Sequence, residues 1–290
     1  MKFDKNTKIL IVGLGLIGGS YAKALSDEGY FVGAIDKKKS SVEYALKNGL
    51  IQVGETSVKK DFVKDFDLIV FALYPHDFIN WIKEYQSSIK SGALITDVTG
   101  VKSFVVENVQ KILRGDLEFV GAHPMAGKEV SGVENADPKI FVGANYIVTP
   151  TKRNTEENVQ AVQDLGRALG FERVSSLSPE EHDETVGFLS HLTHCIAVSL
   201  MVSKKSHHLA EYTGDSFRDL TRIAKINDEM WSELFLANKD ELLKQMDLFE
   251  EKFNQLKEDI KNDNREKIRE TLRESTARRK VFDKDAKETK

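Results

Sequence analysis

Side chains suited to acid–base chemistry and to anion binding stand in three short segments of this 290-residue sequence. The first segment, Gly-Ala-His-Pro-Met-Ala-Gly at residues 121–127, carries His123 at the end of an apolar stretch. An imidazole has an ordinary pKa of about 6.5, so a histidine at a strand end is a candidate general acid or base. Pro124 restricts the backbone of His123 to extended geometry and helps to fix the direction of its ring.

The other two segments carry two histidines and an arginine. His191 and His194 are three positions apart on a predicted helix, so they share one face. Cys195 follows them, but the sequence has no second cysteine, and no carboxylate stands at a spacing typical of zinc ligands. We therefore predict that these residues line a pocket and do not bind a metal. Arg222 stands among apolar neighbours, which predicts that its guanidinium meets a carboxylate, either that of Asp219 or that of a ligand.

A glycine-rich segment near the start of the chain predicts a dinucleotide site. The apolar residues 8–12 lead into Gly13, Gly15 and Gly18, a G-x-G-x-x-G spacing that suits a tight turn, a close approach to phosphate and a closely packed helix. Asp36 stands 21 residues after Gly15, where an acid would bind the ribose hydroxyls and repel a 2′-phosphate. We therefore predict NAD rather than NADP. The predicted cofactor-binding residues are Gly13, Leu14, Gly15, Leu16, Ile17, Gly18, Asp36, Leu73 and Tyr74.

The segments between these residues predict the fold that positions them. Apolar strands are predicted at 8–12, 30–35, 67–73, 92–98, 117–122, 145–150 and 171–175, with helices between several of them, for example 41–48 and 156–169. This alternation indicates an α/β fold with a doubly wound, mostly parallel sheet, whose ligands bind at the carboxyl ends of the strands. Ser103 is a candidate N-cap for the helix after the fourth strand.

From residue 178 onward the pattern is helical, which predicts two domains, 1–177 and 178–290. Six apolar residues follow spacings of 4, 3, 4, 3 and 4 and predict a seam for a second helix: Leu242, Met246, Phe249, Phe253, Leu256 and Ile260. Packing inside the domain is an equally good interpretation of this seam, but we favour a homodimer. Residues 264–290 are highly charged and predict a solvated helix with a frayed tail.

Composition narrows the class of protein. The net charge of −4 gives no indication of a nucleic-acid or membrane partner, and the single cysteine suits a reducing compartment. No apolar run approaches the ~18 residues that span a bilayer. We therefore expect a soluble, cytoplasmic protein with a small-molecule substrate.

Taken together, four segments resemble the prephenate and arogenate dehydrogenase family of tyrosine biosynthesis: residues 13–20, 121–127, 190–194 and 217–224. The resemblance implies an N-terminal Rossmann domain, a helical dimerisation domain, and NAD-dependent oxidative decarboxylation of prephenate to 4-hydroxyphenylpyruvate. It further implies that His123 is the catalytic histidine, that Arg222 binds a substrate carboxylate, and that His191 and His194 line the substrate pocket. Glu129 matches an acidic residue at the pocket entrance.

The chain departs from the family pattern near the fourth strand. The family often has Gly-Ser-x-Lys where this chain has Thr99-Gly100-Val101-Lys102, so the serine that helps to orient the histidine is missing. We hypothesise that Thr99 supplies the hydroxyl instead. Lys128 near the pocket is expected to favour a dianionic keto acid over its amino counterpart, arogenate.

The residues alone leave three other functions possible. The first is an arogenate dehydrogenase, which would form tyrosine. The second is a relative of the β-hydroxyacid dehydrogenases, although no motif here matches their catalytic lysine. The third is a non-catalytic NAD-sensing protein, which would need neither His123 nor Arg222.

Overall fold

The computed structural model describes residues 1–205 and 208–282. By its internal contacts the chain divides into two compact units, one of residues 1–241 and one beginning at residue 242. All residues with a predicted chemical role belong to the first unit. The domain boundary predicted between residues 177 and 178 marks the point where the sequence pattern becomes helical, and it stays a prediction.

Six parallel strands form the main sheet of the first unit. They are β1 (Lys8–Val12), β2 (Phe31–Ile35), β3 (Val53–Glu55), β4 (Leu68–Phe71), β5 (Leu94–Asp97) and β6 (Glu118–Phe119). Their order across the sheet is β3-β2-β1-β4-β5-β6, and every neighbouring pair is parallel. The order reverses direction between β1 and β4, and a doubly wound sheet binds ligands at such a point. The predicted fold class is confirmed.

Alternate residues of β1 pack into different cores, which explains its unbroken apolar sequence. Ile9 and Ile11 join one hydrophobic cluster and Leu10 and Val12 join another, so helices cover both faces of the sheet. The second cluster includes Leu234, which lies far along the chain in the helical region. Part of that region therefore packs on a face of the parallel sheet.

A second, three-stranded sheet corrects one of the predicted strands. It consists of β7 (Gly121–Pro124), β8 (Asn145–Thr149) and β9 (Arg173–Ser176), with β7 antiparallel to β8 and β8 parallel to β9. The single strand predicted at 117–122 is wrong, because the chain leaves the main sheet after β6 and enters the second sheet at β7. His123 consequently lies within a strand rather than after one.

The helices follow the predicted pattern with shifted ends. They are α1 (Leu16–Asp27), α2 (Lys39–Lys47), α3 (Lys60–Val63), α4 (Pro75–Tyr85), α5 (Ser103–Ile112), α6 (Glu156–Ala168), α7 (Pro179–Val186), α8 (Thr193–Val202), α9 (Asp215–Thr221), α10 (Asp228–Ala237), α11 (Lys239–Lys261) and α12 (Arg265–Arg279). A π-helical turn, Gly187–Leu192, joins α7 to α8. Such turns are rare and often occur at functional sites.

The joined segment Pro179–Val202 is long and apolar enough to cross a membrane by length and composition alone. The sequence contains no uninterrupted apolar run of that length, because Ser190, His191, Thr193 and His194 interrupt the segment, but its mean hydropathy is high enough. Core helices of soluble proteins pass the same test. Here His182, Asp183 and His191 are buried and hydrogen-bonded, whereas Met201 and Val202 are exposed.

In the second unit the predicted seam lies along one side of α11, and most of it is exposed within a single chain. Phe253 is 59% exposed and Ile260 is 58% exposed. Helix α12 has no buried residue, as predicted for a charged, solvated helix. The end of the predicted tail, residues 283–290, lies outside the described residues.

Candidate active site

His123 is held by the strand next to the main sheet. Its strand β7 begins just after β6, and the backbone N–H of Ala122 donates a hydrogen bond of 3.0 Å to the Asp97 carboxylate at the end of β5. Asp97 is fully buried. The backbone on the N-terminal side of His123 is thus tied to the carboxyl edge of the parallel sheet, where a doubly wound fold binds its ligands.

A chain of hydrogen bonds runs from His123 into α7. Nδ1 of His123 lies 2.8 Å from Nε2 of His182, and Nδ1 of His182 lies 2.8 Å from Oδ1 of Asp183. A carboxylate only accepts, so His182 donates from Nδ1 and its Nε2 carries a lone pair. His123 must then donate from its own Nδ1, which leaves Nε2 of His123 with a free lone pair. We call these three residues the relay.

Two backbone N–H groups at the start of α5 fix the acidic end of the relay. Lys102 and Ser103 each donate a backbone hydrogen bond of 2.8 Å to the Asp183 carboxylate. Burial alone would raise the pKa of Asp183, but the His182 hydrogen bond and these two N–H groups lower it below its usual value. The predicted N-cap role of Ser103 is wrong, since Lys102 is the N-cap residue and the carboxylate of Asp183 satisfies the helix N-terminus instead.

The same surroundings keep His123 neutral. Burial holds the pKa of His123 well below its usual value, and the charge of Lys102 lowers it further. Burial also lowers the pKa of His182. At neutral pH the relay therefore consists of two uncharged imidazoles and one carboxylate, and His123 is in the form that accepts a proton.

A buried ion pair lies next to the relay, because Lys102 bonds Asp183 through its backbone and Asp97 through its side chain. Lys102 is fully buried, and its Nζ lies 2.6 Å from the Asp97 carboxylate. The hydroxyl of Thr99 bonds the same carboxylate and lies 3.1 Å from Lys102 Nζ. Thr99 thus serves the ion pair, and the structure does not bring its hydroxyl to His123 as hypothesised. A Cβ at Gly100, the position of the family's serine, would lie 3.8 Å from Cε1 of His123.

His191 and His194 meet at one tryptophan. The ring of His194 stacks on Trp231 with centroids 3.7 Å apart, and His191 meets the same ring edge-on at 6.1 Å. Burial lowers the pKa of both histidines, that of His191 to about 4. Among residues 1–205 and 208–282, no group of three or more His, Cys, Asp or Glu is arranged to hold a metal ion.

Arg222 lies beside α9 and pairs with a carboxylate, but not with the one suggested by sequence. Its guanidinium contacts Glu129 rather than Asp219, and its side chain is 66% exposed. Lys128 pairs with Asp137 at 3.0 Å. The structure therefore brings Arg222 and Glu129 together and places the Lys128 ammonium in a separate ion pair.

The glycine segment forms a cradle that side chains would fill. Gly13 has a φ of +98°, and a Cβ there would lie 2.4 Å from the carbonyl oxygen of Ala72. A Cβ at Gly18 would lie 1.9 Å from the oxygen of Gly13, whereas a Cβ at Gly15 would meet nothing within 4 Å. Tight packing at two glycines and open space at the third are what a bound pyrophosphate requires.

Asp36 completes the cradle from the end of β2. Its carboxylate accepts hydrogen bonds of 2.7 Å from the backbone N–H groups of Leu14 and Lys38. These bonds fix the carboxylate next to the glycine turn. Leu73 lies on the other side, since its Cδ2 would be 3.0 Å from a Cβ at Gly13.

Sequence reasoning missed four residues of this site: His182, Asp183, Trp231 and Asn238. His182 follows Glu181 in a segment that the sequence presents only as a capped helix start. Its one signal in the sequence is its position beside Asp183, whose carboxylate can accept a hydrogen bond from an imidazole. Trp231 and Asn238 carry no motif that separates them from ordinary core residues.

We predict that acid destabilises the fold as the pH falls below about 6.5, the usual pKa of a histidine. The pKa values of His123, His182, His191 and His194 are all lowered by folding. The unfolded chain therefore binds more protons below pH ~6.5, and the free energy of unfolding falls as the pH drops through that value. With a pKa of about 4, His191 alone contributes roughly 3 kcal/mol of this loss by pH 4.

Urea unfolding at pH 7, 6, 5 and 4 measures this effect. A His191→Gln variant should show a shallower dependence than the parent chain. A free energy of unfolding that is constant or rises between pH 7 and pH 5 would contradict the assignment of neutral, buried histidines.

The comparisons with known proteins agree along most of the chain. Residues 21–173 match the family model described as prephenate dehydrogenase, nucleotide-binding domain, and residues 178–274 match that of its dimerization domain. The chain is 34% identical to a prephenate dehydrogenase of Bacillus subtilis over 82% of its length and 66% of that protein. It is 32% identical to one of Lactococcus lactis over 86% of its length and 70% of that protein.

The chain thus spans about two thirds of the length of these curated relatives. A solved structure matches more completely: prephenate dehydrogenase from Aquifex aeolicus in complex with hydroxyphenyl propionate and NAD+, with 34% identity, a TM-score of 0.87, and coverage of 96% of this chain and 98% of that one. Two family models in the expected order, together with these relatives, show that the chain belongs to the prephenate dehydrogenase family.

Proposed function

We propose that the protein catalyses the NAD-dependent oxidative decarboxylation of prephenate to 4-hydroxyphenylpyruvate, with release of CO2 and NADH. The observation that carries the proposal is the relay, which leaves a neutral His123 with a free lone pair on Nε2. A dinucleotide cradle in the same unit supports it. Membership of the family supplies the substrate class.

The cradle favours NAD as the cofactor. Gly13 and Gly18 have no room for a side chain, Gly15 faces open space, and Asp36 is held beside them by the backbone N–H of Leu14. When bound, NAD accepts a hydride from the substrate. The carboxylate of Asp36 suits ribose hydroxyls and repels the 2′-phosphate of NADP, so we propose that Asp36 sets the preference for NAD.

His123 acts on the proton of the substrate hydroxyl. As hydride leaves ring C4, Nε2 of His123 takes the proton from the C4 hydroxyl, and the electron pair of the bond to the departing CO2 makes the ring aromatic. The phenolate oxygen formed in this way takes the proton back from Nε2, which gives 4-hydroxyphenylpyruvate and neutral His123. The first proton transfer makes His123 a cation, which its hydrogen bond to His182 and the Asp183 carboxylate beyond stabilise. General base catalysis of this kind accelerates a reaction by roughly 10²- to 10⁴-fold.

Arg222 and the two pocket histidines are proposed to bind the acidic substrate. The guanidinium binds a carboxylate with two parallel hydrogen bonds, and Glu129 occupies it in the structure described here. A substrate carboxylate would take the place of the Glu129 carboxylate. His191 and His194, which meet at Trp231, would line the pocket around the remainder of the molecule.

We further propose a homodimer that forms through the C-terminal helices and acts in the cytoplasm. Residues 178–274 match a dimerization domain. The seam on α11 supports the proposal, because Phe249, Phe253 and Ile260 are at least 40% exposed in one chain. Exposed apolar surface of this kind is typical of a subunit interface.

Formation of NADH with prephenate and with arogenate, each offered alone, tests the proposed function. Faster turnover of prephenate is expected. A clear preference for arogenate would show instead that the protein is an arogenate dehydrogenase, which forms tyrosine. A 3-hydroxy acid serves as the third substrate. Turnover of that acid alone would favour a β-hydroxyacid dehydrogenase, and NAD binding without turnover of any substrate would favour a sensing protein.

The role of Arg222 gives a separate prediction. We expect Arg222→Ala to raise the KM for prephenate roughly 10- to 100-fold, since a hydrogen bond to a charged group contributes about 1.5–3 kcal/mol. Arg218→Ala is the matched control, because Arg218 lies on the same segment and pairs with Asp215. Steady-state kinetics of both variants would count against the assignment if the KM for prephenate stayed at the parent value in Arg222→Ala.

A further inference from the structure

Asn238 lies at a junction of three helical elements next to the proposed site. It follows the end of α10, where its backbone N–H donates to Leu234, and it precedes α11. Its side chain is buried, with 5% of the residue exposed. One amide nitrogen lies 2.9 Å from the carbonyl oxygen of Asp183 and 3.3 Å from Nδ1 of His191.

The first of these contacts fixes the orientation of the amide. A backbone carbonyl only accepts hydrogen bonds, so the NH2 group of Asn238, and not its oxygen, must face Asp183. The carbonyl of Asp183 also receives the backbone N–H of Gly187, where α7 gives way to the π-helical turn. Asn238 therefore ties the end of α10 to the irregular turn that carries His191.

The second contact then fixes the tautomer of His191. The same NH2 group donates to Nδ1 of His191, which must therefore carry a lone pair, and the ring proton must be on Nε2. The groups around this ring agree with a neutral form. Asp183 and His182 on α7 and His194 on α8 are its charged or titratable neighbours, and Trp231 and Phe235 on α10 meet it edge-on.

We propose that Asn238 is a positioning residue that holds His191 as the Nε2–H tautomer, so that His191 offers the substrate a hydrogen-bond donor rather than an acceptor. This inference rests on the proposed substrate role of His191. A donor at this position suits an acidic substrate, whose carboxylate or keto oxygen accepts. His194 has the opposite tautomer, since its Nδ1 donates to the carbonyl of Ser190 at 2.8 Å, so the two histidines of the pocket present different groups.

The test replaces the NH2 donor of Asn238 with an oxygen acceptor by a nearly isosteric substitution. In Asn238→Asp a carboxylate faces Nδ1 of His191, so the proton should move to Nδ1 and the lone pair to Nε2. NMR of the full chain labelled with 15N-histidine reads the tautomer directly, and the His191 signals are assigned by their loss in His191→Gln. We expect a pyridine-type Nδ1 and a pyrrole-type Nε2 in the parent chain, and the reverse in Asn238→Asp.

Kinetics complete the test. We expect kcat/KM for prephenate to fall roughly 10- to 100-fold in Asn238→Asp. Nε2 of His191 would no longer donate to the charged substrate and would present an unpaired lone pair instead. Asn108→Asp is the control. It also removes a hydrogen bond from a side-chain amide to a backbone carbonyl, that of Phe104, but this bond does not involve a histidine. It should keep the parent tautomer and kcat/KM.

The outcomes separate this inference from the proposed function. A parent His191 with its proton on Nδ1, or unchanged His191 signals in Asn238→Asp, would overturn the role of Asn238 whatever the activity. Failure of the parent chain to turn over prephenate would overturn the proposed function and leave the tautomer measurement valid. A tautomer reversal without a fall in kcat/KM would show that the donor on His191 does not serve the substrate, and would overturn the inference.

Discussion

Replacement of His123 by asparagine is expected to lower kcat for prephenate by roughly 10²- to 10⁴-fold, the range that a general base contributes. Asparagine still donates a hydrogen bond to Nε2 of His182, so the relay keeps its geometry, but its amide does not accept the substrate proton. The affinity for NAD should stay at the parent value. The cradle is built by Gly13, Gly18 and Asp36, which this substitution leaves intact.

The matched control is His208→Asn, at an exposed histidine that contacts Glu211. It should retain the parent kcat and NAD affinity. Pre-steady-state measurement of NADH formation shows whether the loss lies in the chemical step. A His123→Asn variant with kcat within threefold of the parent, a limit we take as about 0.6 kcal/mol, would remove His123 from the role of base.

Removal of the charge at the far end of the relay should have a similarly large effect. Asp183 accepts from Nδ1 of His182 and from the backbone N–H groups of Lys102 and Ser103. In Asp183→Asn one acceptor atom becomes a donor, so the variant cannot satisfy all three partners, and the tautomer of His182 is no longer fixed. His123 is then free to place its proton on Nε2, the atom proposed to act as base.

By analogy with the loss of the orienting aspartate in a Ser-His-Asp triad, we expect kcat to fall by roughly 10²- to 10⁴-fold. The control is Glu184→Gln, the next residue on α7, whose side chain is exposed. Thermal unfolding of both variants separates lost folding from lost catalysis, and kcat is compared below the melting temperature of each. Normal kcat in a folded Asp183→Asn variant would show that the relay does not tune His123.

The sequence predicted the parts of this molecule that depend on local pattern. An apolar strand followed by Gly13, Gly15 and Gly18 needs no distant information, since the turn, the packing and the phosphate approach all arise within a few residues. The same holds for the parallel sheet, whose buried strands read as continuous apolar runs. His123 was identified because Pro124 and a preceding strand mark it in the sequence.

The rest of the site depends on contacts between distant segments, which one sequence does not reveal. His182 reaches His123 across 59 positions, and Asn238 reaches His191 across 47. The π-helical turn before α8 has no recognisable sequence signal and yet sets the position of His191. In the sequence Thr99 is the hydroxyl residue next to the position of the missing serine, but the buried charges of Asp97 and Lys102 bind its hydroxyl more strongly than a neutral imidazole would.

The exposure of Arg222 has a related cause. Apolar neighbours in sequence predict a buried side chain only if the helix turns them toward the same core, and here Leu220 is itself 54% exposed. The exposed apolar residues of α11 include Phe249 and Phe253, which contact each other and are still at least 40% exposed. They are expected to pack against the second subunit of the proposed homodimer.

The central claim is that Nε2 of His123 is the atom that takes the substrate proton. A crystal structure of this chain with NAD and hydroxyphenyl propionate, the pair of ligands bound to the Aquifex aeolicus relative, tests it most directly. We expect the phenolic oxygen to lie within about 2.6–3.2 Å of Nε2 of His123 while Nδ1 keeps its hydrogen bond to His182. A phenolic oxygen bound to another group, with Nε2 of His123 turned away from the nicotinamide ring, would contradict it.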